Sequence, residues 1–180
     1  MATLVFVESA EGKIKSTSLE AVAYAHALGA PVTAIAIGTV DQGDLESLGK
    51  YGVQKVLHVQ DTRLQSGIIQ AYSSAISQAM EAENAEILVL ANSTLGTPVA
   101  ARVAVKAGAS LATNVVELPD TTAGFVVKRS IYTGKAFAKV ELSHAKKVLV
   151  LKKNAATLKE VGGAVSITLF APAFIETDFA

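Results

Sequence analysis

The chain carries 180 residues, and sixteen basic side chains balance sixteen acidic ones at an isoelectric point near 6.8. That length suits one well-buried domain, the missing cationic excess excludes sequence-independent nucleic-acid binding, and the absence of cysteine removes disulfides, thiolate metal sites and cysteine nucleophiles. Apolar residues make up 51% at a mean hydropathy of +0.40, yet every apolar run falls short of the ~20 residues of a membrane-spanning helix, so the surplus belongs to a dense core or a face covered by a partner.

The first element is Thr3–Val7, an apolar run with no basic region before it and no small-residue cleavage site after it. It reads as the opening strand of a mature cytoplasmic domain, not as a signal peptide. A helix follows: Thr17 and Glu20 have capping-box spacing, Leu19, Val22, Ala23, His26 and Ala27 recur on one face, and Gly29 stands where it stops. Val32–Ile37 is the second strand, and a helical turn at Leu45–Leu48 precedes Gly52. After a third strand at Lys55–Val59, the segment opening at Ser66 puts Ile69, Tyr72, Ile76, Ala79 and Met80 on one helical stripe. Glu86–Leu90 is the fourth strand; the helix after it has Thr97 as predicted N-cap, Pro98 at the first helical position and Gly108 at its end.

Alternating strands and helices of this kind predict a three-layer αβα fold with a mainly parallel sheet. Beyond Val115 the pattern changes. "FVVKRSIY" and "AFAKVEL" are extended and alternating, and "TGK" between them supplies a turn glycine, which predicts an antiparallel hairpin. Lys147–Leu151 and Ser166–Phe170 read as closing strands, separated by a polar stretch holding Gly162 and Gly163. Residues 1–170 are expected to form a single α/β domain, and 171–180 the start of a linker to a missing C-terminal domain.

In a doubly wound order 3-2-1-4-5, two loops flank the topological switch point: "ESAEGKIK" after Val7 and "ANSTLG" after Leu90. Ser9, Ser93, Thr94 and Gly96 are therefore candidates for holding a phosphate near a helix N-terminus. Neither GxxxxGK[ST] nor GxGxxG occurs, which favours an ordinary strand-to-helix turn at Asn92–Gly96. "YTGK" has Ala136 where a phosphate loop places a hydroxyl, so it reads as a hairpin tip. His26, His58 and His144 lack metal-ligand spacing and read as structural, while Glu81, Glu83 and Glu86 read as solvated surface. No nucleophile has an assignable base, and no catalytic or metal constellation emerges. Arg129, Tyr132 and Lys135 form a protruding basic-aromatic hairpin and are the candidate interface residues.

Taken in order, "TLVFVES", "STSLEAVAYAHALGAPVTAIAIGT", "ANSTLGTPVAARVAVKAGASLATNVVEL" and "VKRSIYTGKAFAKVEL" resemble the N-terminal domain of the electron transfer flavoprotein α subunit. The hairpin is similar to the family's Arg-x-Ile-Tyr-x-Gly-Asn-Ala pattern, departing at Lys135, where asparagine is usual; Asn114 stands where aspartate is usual. The resemblance implies an adenine-nucleotide α-hydrolase-like fold and a scaffold without catalytic residues that heterodimerises with a β subunit. It further implies that FAD is held mainly by the C-terminal domain, that AMP sits in the β subunit, and that no cofactor binds this chain alone. The full complex would carry electrons from dehydrogenases, such as acyl-CoA dehydrogenases, to a membrane quinone reductase. A stand-alone adenine-nucleotide-binding module of universal-stress-protein type is the alternative reading, though the glycine-rich segment usual in such proteins is absent.

Overall fold

A computed structural model describes residues 1–173. Its elements begin with β1 (Thr3–Val7), the two-residue strands β2 (Ser9–Ala10) and β3 (Lys13–Ile14), α1 (Ser16–Ala27) and β4 (Val32–Ile37). They continue with α2 (Gln42–Ser47), which runs into a 3-10 turn at Leu48–Tyr51, then β5 (Lys55–Val59), α3 (Ile69–Ala82), β6 (Ile87–Ala91) and α4 (Gly96–Ala107). The last strands are β7 (Ser110–Val115), β8 (Val126–Ile131), β9 (Ala136–Glu141), β10 (Lys147–Leu151) and β11 (Ser166–Leu169).

Among the described residues a nine-stranded sheet runs in the order β11-β5-β4-β1-β6-β10-β7-β8-β9. Neighbours from β11 to β7 are parallel, and β7/β8 and β8/β9 are antiparallel. The expected mainly parallel αβα architecture and its hairpin are both present. The first four strands stand in the expected 3-2-1-4 arrangement, and the fifth place is taken by β10. Its sequence explains that position: "KVLVL" is buried throughout its last four residues, as a strand covered on both faces must be, whereas β7 buries only Ala112 and Val115 and sits further out. Lys147–Leu151 is thus an interior strand and not a closing one. β7 had not been predicted as a strand at all.

Period-two alternation sorts the sheet into two apolar layers. Leu4, Phe6, Ile35, Leu88 and Val150 pack with α3 and α4 on one face, while Val5, Val7, Ala34, Val89 and Leu149 pack with α1 on the other. The α1 expectation needs correction at two points. Its N-cap is Lys15 with no side-chain capping bond, and Glu20 instead accepts the Asn154 amide at 2.7 Å. Its buried face is Ser18, Ala21, Val22, Tyr24 and Ala25, with His26 and Ala27 exposed. Stops at Gly29, Gly52 and Gly108 have the positive φ that glycine tolerates without strain. Residues 171–173 lie beyond β11, where Ala173 exchanges hydrogen bonds with the Gln78 side chain; the rest of the expected linker start, 174–180, lies outside the described residues.

Candidate functional site

The C-terminal ends of β1 and β4 open onto a cleft of about 360 Å³. One rim is the β2–β3 hairpin, whose turn residues Glu11 and Gly12 have φ of 51° and 81°. Two consecutive left-handed residues match the twist of a two-residue hairpin, which is why a glycine sits there. Asp44 in the first turn of α2 fixes this rim by accepting the Ile14 amide at 2.9 Å and pairing with Lys13 at 3.1 Å. Of the four predicted phosphate-loop residues, only Ser9 lines the cleft.

Among the described residues lining it, Glu8 and Glu11 carry the only charges. The Glu8 backbone is held on both sides, donating to Ser18 Oγ at 2.9 Å and accepting from the Lys15 amide at 2.9 Å. Its side chain is 4% exposed and lies 3.6 Å from the Lys15 ammonium. Tyr72 also lines the cleft, donating its phenol proton to the Leu64 carbonyl; burial and then the Glu8 charge raise its pKa. The cleft is acidic, with Ser9, Thr39 and Gln65 sharing its walls with Phe6, Ile37, Tyr72 and Leu95.

Ser93, Thr94 and Gly96 lie in the turn into α4. Thr97 is not the N-cap: α4 begins at Gly96, and Ser93 Oγ accepts the Gly96 amide at 2.7 Å, which does the capping. Thr97 lies inside the first turn and donates its hydroxyl to Asn92 Oδ1 at 2.7 Å. Gly96 is buried so tightly that a methyl group on it would collide with the Ala91 carbonyl oxygen. The turn therefore spends its Ser93 hydroxyl and Gly96 amide on itself.

Asn92 also reaches across to Asn114, 3.4 Å away. Asn114 is left-handed, with φ of 54°, at a bulge where the β10/β7 register shifts. Asparagine is among the residues that best tolerate this conformation, and just past the bulge Val115 pairs with Arg129 of the antiparallel β8. There Arg129 is half-buried and anchored to its own chain, donating to the Thr113 carbonyl at 3.0 Å and the Thr113 hydroxyl at 2.9 Å. Tyr132 and Lys135 are exposed at the hairpin tip, Tyr132 at 77%. Beside them Phe137 is 58% exposed, with the Lys128 ammonium 4.8 Å above its ring. Sequence reasoning had missed Phe137; its place on an outward-alternating strand position was the available signal.

Two of the three histidines hydrogen-bond within the chain, and His26 is exposed on α1. His58 is buried with Nε2 at 2.7 Å from the Gly38 carbonyl, and His144 Nδ1 is 2.7 Å from Ser110 Oγ. Glu83 is not merely solvated, since it pairs with Lys55 at 2.6 Å. Among the described residues no acidic, histidine or cysteine cluster is large enough for a metal ion, and no helix is long and apolar enough to cross a membrane.

Residues 3–173 match the model of the electron transfer flavoprotein domain. The electron transfer flavoprotein subunit alpha of Bacillus subtilis is 26% identical over 139 residues, covering 76% of this chain and 43% of the relative. That of Syntrophomonas wolfei is 29% identical, covering 78% and 44%. A probable mitochondrial alpha subunit of Caenorhabditis elegans is 27% identical, covering 99% and 53%. The chain thus spans about half the length of the curated relatives it matches. With nearly all of its described sheet inside the matched region, the chain belongs to the electron transfer flavoprotein family, on the side of its α subunits.

Proposed function

We propose that this chain is the N-terminal scaffold domain of an electron transfer flavoprotein α subunit, which pairs with a β subunit and contributes no catalytic residue of its own. The observation that carries the reading is the family match across residues 3–173, in a chain that spans about half of each α-subunit relative. FAD is then held mainly by the other half of the α subunit, and AMP by the β subunit. The assembled protein passes electrons from dehydrogenases to a membrane quinone reductase, in the cytoplasm of a bacterium.

The exposed Tyr132, Lys135 and Phe137, carried on a hairpin at the sheet edge, support an interface there, because aromatic side chains are enriched at protein contacts. Arg129 serves that surface indirectly by tying the hairpin to β7. Phosphate binding by Ser9, Ser93, Thr94 and Gly96 has less support: the Ser93 hydroxyl and Gly96 amide are bonded to each other, and the cleft that Ser9 lines is acidic.

Analytical ultracentrifugation of the chain alone and with the β subunit from the same genome, followed at protein and flavin wavelengths, tests the assignment. A one-to-one complex, with no flavin sedimenting with the chain alone, is expected. Stoichiometric flavin on the isolated chain would overturn the scaffold reading. Indifference to the β subunit combined with heat on ATP titration would replace it by the nucleotide-binding module.

A further inference from the structure

Glu8 is the one carboxylate, lysine or arginine side chain that is buried among the described residues. It is 4% exposed, and the nearest cation, Lys15 Nζ, stands 3.6 Å away on a side chain that is 44% exposed. That separation is an ion pair without a hydrogen bond. Among the described residues no N–H or O–H donates to the carboxylate. The group faces a cleft of about 360 Å³, so the missing donors can arrive from outside.

The surroundings define what fits. An anion meets the charges of Glu8 and Glu11, and the Glu8 amide is already bonded to Ser18 Oγ. A divalent metal finds no third acidic, histidine or cysteine ligand among the described residues, whereas such ions require several oxygen ligands. Phe6 and Tyr72, packed edge to face at 5.9 Å, line the cleft with Ile37 and Leu95, which suits an aliphatic stem and a cation near aromatic surface. We propose that the cleft is a binding site for a nitrogen cation, a guanidinium or ammonium on a short apolar stem, seated on the Glu8 carboxylate. Lys15 is its internal competitor. The source is either a free cationic metabolite or a basic side chain of the partner subunit.

The test is a nuclear magnetic resonance titration of the isotope-labelled chain with agmatine, with AMP, inorganic phosphate and magnesium in parallel. Agmatine is expected to shift the amides of Glu8, Ser9, Gly12 and Gly38 saturably. Glu8→Gln should weaken binding at least about ten-fold by removing the charge-assisted bonds. Lys15→Gln should tighten it about two- to five-fold by removing an exposed competitor. These opposite directions keep the test decisive even if Glu8→Gln folds poorly. If agmatine gives no saturable shift, the β subunit is added; cleft shifts on complex formation, with Glu8→Gln weakening the complex about ten-fold, identify the partner's basic side chain as the source. The proposal is overturned if neither arm perturbs the cleft, if AMP, phosphate or magnesium shifts these amides more strongly than agmatine, or if Lys15→Gln weakens agmatine binding. The agmatine arm is independent of the proposed heterodimer, so failure of one is distinguishable from failure of the other.

Discussion

The Asp44 carboxylate holds the rim of the cleft through the Ile14 amide at 2.9 Å and the Lys13 ammonium at 3.1 Å. The Ile14 bond is the main reason its pKa lies below the ordinary carboxylate value, with Lys13 adding to it. Because folding lowers this pKa, the stability it contributes is complete above the unfolded carboxylate value of about 4 and is lost as pH falls through the lower folded value. Asp44→Asn is expected to cost about 1 kcal/mol at neutral pH, with the difference from the parent shrinking as pH falls below the ordinary carboxylate value of about 4. Urea midpoints of the two proteins across that range check it; a gap independent of pH would mean that the charge of Asp44 is not what holds the hairpin. Lys13 is too solvated for its own contact to add much.

At the scale of elements, the turn into α4 shows why small polar residues end β6. Ser93 caps the helix, and Gly96 lets the chain pass close against the Ala91 carbonyl. Gly96→Ala is expected to destabilise the protein by about 2 kcal/mol, because the obstructing atom is backbone and cannot swing aside. Ser93→Ala should cost about 1 kcal/mol through the lost cap. Denaturant midpoints measure both, and a Gly96→Ala change under about 0.5 kcal/mol would show that close approach is not what requires glycine there. Elements were legible wherever local chemistry decided them: glycine stops, the α3 stripe and the hairpin all stand as read. The α1 face was not, because "AVAYAHA" is apolar nearly all round and its periodicity does not single out one side. The sheet beneath it selected Ser18, Ala21 and Ala25, the small residues that allow close packing.

For the whole molecule the hairpin at the sheet edge is the test surface. Tyr132 is 77% exposed, so Tyr132→Ala should leave the melting temperature of the chain nearly unchanged while weakening the complex with the β subunit about ten-fold. Sedimentation or calorimetric titration reads the affinity, and an unaltered complex would remove Tyr132 from the interface. Arg129→Ala is expected to behave differently, lowering stability as well as affinity, because it frees the hairpin from Thr113. A thermal melt separates the two.

The sequence by itself determined the order and type of most elements, the αβα class and the family, since these follow from hydrophobic period, turn glycines and a pattern spread along the chain. It left the candidate sites half legible. Ser9 and Ser93 were visible as small polar residues at strand ends, but nothing in a linear string shows that one faces an open cleft while the other spends its hydroxyl on a helix amide. Only the tertiary structure decided that β10 enters between β6 and β7, because strand neighbours are chosen by burial across residues distant in sequence. It likewise decided that Glu8, an unremarked acid in the sequence, lies buried and short of donors, since a charge's environment is made by the α1, α3 and β4 residues that fold around it.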